Sequence, residues 1–239
     1  MTLGIITFLA TLTHTNFTWR AQPDHAQSFP MTIIDPDNNP TQEETYTIQI
    51  PLQNLNKSIT DEEILARFSK GYFGGWMFSP ERWVAPFVQG VVEHDVITNS
   101  RSDPRPDGYE ISTTDSLSTQ HIAPLGALKH RGKVFPYSKG ISRPERSFVE
   151  YAGLTKGRSL AASHRFEVAR VKLDFNCEDQ NEGEGYATIV YSHVRSNPLT
   201  GGRVYSRPMT AMHVVYAHLL FADGVREVLG GIDDLEVVQ

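Results

Sequence analysis

Between Glu44 and Leu52 apolar and polar residues alternate, with Tyr46, Ile48 and Ile50 on one side and Thr45, Thr47 and Gln49 on the other. This period of two predicts a half-buried strand. The period then lengthens. Thr60 stands where an N-cap belongs, acidic residues fill the next turn, and Ile64, Leu65, Phe68 and Tyr72 recur at helical spacing. Gly74-Gly75 ends or bends that helix, and Ser79-Pro80-Glu81 opens another, with Trp83, Val84, Phe87, Val88 and Val91 as its apolar stripe. An early helix pair joined at a glycine elbow is the expectation.

From Asn99 to Gly157 the chain is rich in Pro, Gly, Ser and Asp, with short strand-like pieces at YEIST, STQHIAPL, KVFPYS and SFVEYAG. These suggest an antiparallel meander. Two longer strands, 162–175 and 186–197, follow around an acidic, glycine-bearing turn and should pair antiparallel. A last helix opens at Pro208, is apolar almost all round, and loses its pattern at Gly230-Gly231. No internal repeat interrupts this order. The pattern predicts one α+β domain over residues 1–239, with 1–41 an N-terminal extension packed on the body. Its curved antiparallel sheet would be gripped by the long C-terminal helix around an apolar cavity.

Composition narrows the function classes. The chain has 239 residues, 39% of them hydrophobic and 10% aromatic, and a net charge of −6. It can bury a large core and stay soluble. Its Lys and Arg residues are scattered rather than striped, which argues against nucleic acid as a partner. Cys177, the single cysteine, excludes an intramolecular disulfide and suggests a reducing, cytoplasmic setting. The acidic residues around it disfavour a reactive thiolate. Leu3–Leu12 has the length of a signal-peptide core, but no basic residues precede it and it is too short to span a bilayer. The reading taken is a first strand or short helix packed on the body, with no membrane span and a homodimer left open.

The chain lacks GxSxG, a GxGxxG after a strand, a P-loop and HExxH. Candidate chemistry therefore rests on polar groups within apolar elements. On the last helix Met209, Met212, His213 and Tyr216 share a face, which would roof a cavity, while His218 lies on another. In strand 186–197 the face of Ala187, Ile189, Tyr191, His193 and Arg195 turns from apolar to polar, as at a pocket mouth. His164, Arg165 and Glu167 are candidates for the same polar cluster. Tyr72, Trp76 and Phe78 would supply an aromatic wall for an apolar ligand. His213 and His218 are five residues apart and fit no helical metal pair; no metal and no cofactor are expected.

The stretches FSKGYFGGWMFSPERW and HVVYAHLLFADGVREVL resemble small fungal secondary-metabolite proteins, some of which are cofactor-free cyclases or pericyclases, the norbornene-forming enzyme of sordarin biosynthesis among them. The order of elements resembles the helix-grip fold of the pollen-allergen and START superfamily. These resemblances imply a cofactor-independent cyclase or isomerase, of the pericyclase or Diels-Alder type, acting on a hydrophobic polyketide or terpenoid intermediate. They carry over no functional residue. Tyr216, His213, Tyr191 and His193 are the catalytic candidates, and Trp76, Tyr72, Phe78, Met209 and Met212 the substrate-binding ones. The alternatives are a non-catalytic carrier of the same ligands and a SnoaL-like or NTF2-like dehydratase-isomerase, which would need a carboxylate–histidine dyad.

Overall fold

The computed structural model describes residues 2–79, 110–111, 117–122, 128–129, 135–140, 146–155, 157–172 and 185–230. The second helix of the expected pair, the Cys177 loop and the C-terminal tail lie outside them. The described elements are α1 (Thr2–His14), β1 (Asn16–Thr18), α2 (Phe29–Ile34), β2 (Gln42–Pro51), α3 (Asp61–Gly74), β3 (Glu110–Ile111), β4 (Leu128–Lys129), β5 (Phe135–Gly140), β6 (Ser147–Leu154), β7 (Ala161–Lys172), β8 (Gly185–Ser196) and α4 (Arg207–Leu229). The fold is α+β. Six strands form one antiparallel curved sheet in the order β1-β2-β8-β7-β6-β5, and β3 pairs with β4 in parallel apart from it. The expected meander holds for β5 through β8. Residues 117–122, however, form a turn rather than a strand, with Ser118 Oγ accepting from the backbone N–H groups of Gln120 and His121.

Why α3 begins and ends where it does is visible locally. The Thr60 hydroxyl accepts from Glu63 N at 3.1 Å, three acids favour the positive helix start, and the chain leaves at Gly75. The apolar stripe of α3, with Phe68 and Tyr72, faces the sheet across β6 and β7. The C-terminal helix packs along α3 and α1 and reaches the sheet at β2. Glycine permits that close helix crossing: a Cβ on Gly71 would come within 2.5 Å of the Asp223 carbonyl oxygen, and one on Gly224 within 2.7 Å of the Phe68 ring. A Cβ on Gly75 would collide with the Asp223 carboxyl group and the Gly71 carbonyl. Asp223, fully buried, accepts from Met77 N at 3.0 Å and so pins the elbow after α3 to α4.

Among the described residues, aromatic rings pack between the sheet and the helices that cover it. Tyr46 stacks on Tyr191 at 5.5 Å, Phe68 meets Phe166 at 4.8 Å, and Tyr72 meets Tyr191 at 5.1 Å. The physical reason is side-chain volume: rings on both layers interdigitate at the density of a packed core. A second, smaller core of Met31, Ile34, Ala152, Leu154, Ala161 and Val194 lies under α2 on the other face of the sheet. Residues of the 21–35 segment, among them Ala21, Ala26, Met31 and Ile34, pack on that face. Among the described residues no helix is long and apolar enough to cross a membrane.

Candidate active site

Strand parity brings the polar ends of three elements together. Glu44 on β2 sits opposite His193 on β8, which sits opposite His164 on β7. All three continue the apolar rows of Tyr46, Tyr191 and Phe166, so their side chains point to the face covered by α3 and α4. His213 reaches in from the first turns of α4. Its Nε2 lies 2.8 Å from Glu44 Oε1 and 3.2 Å from His193 Nδ1. The same carboxylate oxygen is 3.1 Å from His193 Nδ1 and 3.3 Å from Arg195 Nη1. Glu44, His193 and Arg195 are buried, whereas the His213 side chain keeps 20% of its exposure.

The electrostatics follow from this packing. Burial raises the Glu44 pKa, but hydrogen bonds from His193 and His213 outweigh it and hold the carboxyl well below its usual range. Glu44 is an anion. Burial pushes the His193 imidazole down to about 4 in spite of the carboxylate beside it, and burial together with His193 holds His164 well below the usual range. Both rings are neutral near pH 7, and they stack face to face at 4.4 Å.

Glu44, His193 and His213 offer three ligand atoms within 4.8 Å of one another, a spacing that could hold a metal ion. Two observations weigh against that use. Arg195 Nη1 already brings a positive charge to 3.0 Å from His193 Nδ1 and 3.3 Å from Glu44 Oε1. In addition, His193 Nε2 is buried without a hydrogen-bond partner, although metal-bound imidazoles usually donate their second nitrogen to an acceptor. The set is better suited to proton transfer. With Nε2 committed to Glu44, His213 keeps Nδ1, which has no hydrogen bond among the described residues and is not sealed from solvent.

The other sequence candidates fall in different places. Tyr191 lies behind the histidines and is fully buried; its hydroxyl accepts from Tyr72 at 2.9 Å and donates to His164 Nδ1 at 3.0 Å. Tyr72 and Phe78 are buried in the core cluster. Tyr216 donates to the Met77 carbonyl at 3.3 Å, facing the elbow and not the carboxylate. Trp76 is 57% exposed and touches Phe8 of α1. Met209 and Met212 are 46% and 61% exposed, so they do not roof an enclosed space. Met209 and Met212 in the first turns of α4 stay exposed, and only from Ala217 onward does the helix bury its core residues. Arg165 and Glu167 have opposite parity to His164 and belong to the far face.

Sequence reasoning missed Glu44 and treated Arg195 only as the end of a face. The signal was present: Glu44 has the parity of Tyr46, Ile48 and Ile50, a charge on an apolar row. Tyr205 was also missed. Its ring lies over the Arg195 guanidinium at 5.2 Å and beside His213 at 5.4 Å, held there by Gln42 Oε1, which accepts from Val204 N and Tyr205 N. Comparison with known proteins gives no match to a family model, a curated sequence or a solved structure.

Proposed function

We propose that the chain is a cofactor-independent isomerase or cyclase of the acid–base kind, acting on an apolar substrate of polyketide or terpenoid type, with His213 as the proton-transferring residue and Glu44 as the residue that positions it. The observation that carries this reading is the 2.8 Å contact between buried Glu44 Oε1 and His213 Nε2, which leaves the other imidazole nitrogen accessible. A carboxylate on one nitrogen fixes the tautomer and stabilises the imidazolium formed when the other takes a proton. In a β,γ-unsaturated carbonyl substrate, Nδ1 would take the α-proton. The C–H electron pair then becomes the dienolate, and the solvent-accessible Nδ1–H, which exchanges with water, delivers a proton to the γ-carbon. No redox partner is needed.

The dyad favours the dehydratase-isomerase alternative over a purely pericyclic catalyst, for which a carboxylate-bound histidine has no task. The test is turnover in D2O of enolisable, β,γ-unsaturated C10–C20 ketones and the corresponding keto acids, read by mass spectrometry. The expected result is solvent deuterium in the product and a rate about 100-fold lower in His213→Gln. Product without deuterium would point to a pericyclase, and binding without exchange to a carrier; either outcome removes the dyad from the chemistry.

A further inference from the structure

Arg195 is fully buried, yet it uses only part of its donor set. Nη1 faces His193 Nδ1 at 3.0 Å and Glu44 Oε1 at 3.3 Å, and the flat face of the guanidinium lies against Tyr205. Nε and Nη2 are both buried without a hydrogen-bond partner. These two N–H groups point along one edge of the guanidinium in parallel, the geometry that grips both oxygens of a carboxylate. A sealed guanidinium edge with two unmet donors is costly, since each lost hydrogen bond carries its desolvation penalty. Elsewhere in the chain the buried Arg165 spends its Nε and Nη2 on a single carboxylate oxygen, Glu150 Oε2, at 3.3 and 3.1 Å.

We propose that the Nε–Nη2 edge of Arg195 binds the carboxylate of the substrate, so that the molecule turned over at His213 is an apolar acid. This inference rests on the acid–base reading for its reacting centre, and it names the substrate class. Arg195 and His213 share one carboxylate oxygen of Glu44, so a keto acid held by its acid group at Arg195 is bound in the same cluster as the proton-transferring residue, with the acidified C–H beside its ketone. The Tyr205 ring lies 5.2 Å over the Arg195 guanidinium and 5.4 Å from the His213 ring. Charge sets the preference: Glu44 and Arg195 balance each other, and the neutral His193 and His164 add none, so the site has one unused cation edge and no second anion facing it on these elements.

The test needs no knowledge of the natural substrate. Octanoate and decanoate, with octanol and methyl decanoate as neutral counterparts, would be titrated by calorimetry into the wild-type protein, Arg195→Lys and His213→Gln. The wild type should prefer each carboxylate by about 10-fold or more. Arg195→Lys, which keeps the charge but loses the fork, should lose that preference, and His213→Gln should keep it. In the 15N-labelled wild type, decanoate and not octanol should shift one arginine Nε–H resonance saturably, a readout that survives even if Arg195→Lys fails to fold. Equal binding of acids and neutral analogues, no binding of either, or a preference retained in Arg195→Lys would overturn the assignment. Because the titrations involve no turnover, a failed deuterium experiment beside an intact carboxylate preference would sink the His213 chemistry alone, and the reverse pattern would sink Arg195 alone.

Discussion

The two faces of the sheet each bury an ion pair beside a histidine, and they treat it in opposite ways. On the face under α2, His25 is sealed between Ser192 Oγ at 2.8 Å and Ser163 Oγ at 2.9 Å. Ser163 and Ser28 both donate to Glu150, whose other oxygen takes Arg165, and Arg165 also reaches Asp24. Every polar atom of His25, Ser163, Ser192, Glu150 and Arg165 is satisfied or exposed. On the face under α4, Glu44 Oε2, His193 Nε2, and Arg195 Nε and Nη2 are buried without partners, and one histidine remains open. A satisfied buried network specifies structure, whereas one left incomplete stores its unmet hydrogen bonds for something that arrives later. The first group is a clasp for residues 21–35, and the second is where chemistry can happen.

The contrast can be broken most severely at the clasp. Arg165→Met should destabilise the fold by about 3–5 kcal/mol, because the buried Glu150 carboxylate loses its partner, while turnover per folded molecule stays unchanged. Urea unfolding with activity normalised to folded protein measures both.

Acid should strain both faces together. His193, held near 4 in the folded chain against an ordinary value of about 6.5, binds its proton later than the unfolded chain does. Stability therefore falls as pH drops from about 6.5 to about 4, by about 1.4 kcal/mol for each pH unit, or about 3 kcal/mol over the window. His25, also depressed by burial, adds to the same limb. Glu44 acts lower down: its contribution is present above about pH 4.3 and is lost as pH falls through its depressed folded value. Melting temperatures from pH 7 to pH 4 should show this slope, and His25→Gln should flatten it; an unchanged slope in that variant would mean the clasp histidine is not titrating.

At the incomplete face the larger effect should be kinetic. His213→Gln should lower turnover about 100-fold, about 2.7 kcal/mol of activation free energy, and change stability by less than about 1 kcal/mol, since the Gln amide can still donate to Glu44. Smallest of all is Tyr216→Phe. Its hydroxyl donates to the Met77 carbonyl at 3.3 Å, and we expect about 0.5–1 kcal/mol lost in denaturant titration and turnover within about 2-fold of wild type. A 100-fold loss there would move the active centre toward the elbow.

How much of this was legible in the sequence follows from what periodicity encodes. The period-two rows of β2, β7 and β8 were readable, and so was α3 with its Thr60 cap, because both depend on neighbours within a few residues. Grouping Arg165 and Glu167 with His164 in one cluster ignored their opposite parity, which places them on the far face. The depth of each element was not readable. Met209, Met212, His213 and Tyr216 share a helix face by spacing, yet the two methionines project into solvent while His213 touches a buried carboxylate. Spacing fixes direction around a helix axis and says nothing about where the sheet ends beneath it. Glu44 escaped for a related reason, since its partners lie 149 and 169 residues further on, beyond any local pattern.

That separation also sets when the proton-transfer centre can exist. Strand β2 is complete by residue 51, yet its sheet neighbour β8 begins at residue 185, and His213 follows on a helix that ends at Leu229. Closing so long a loop before any contact rewards it is slow and is governed by topology. A nascent chain emerging from the ribosome therefore holds Glu44 and the edge of β2 open for most of its synthesis, with Tyr46, Ile48 and Ile50 uncovered. The vulnerable interval is before release, when an unpaired apolar strand invites association with other chains. Among the described strands the second pairs with the eighth, and the expected cellular outcome is dependence on a holding chaperone during translation.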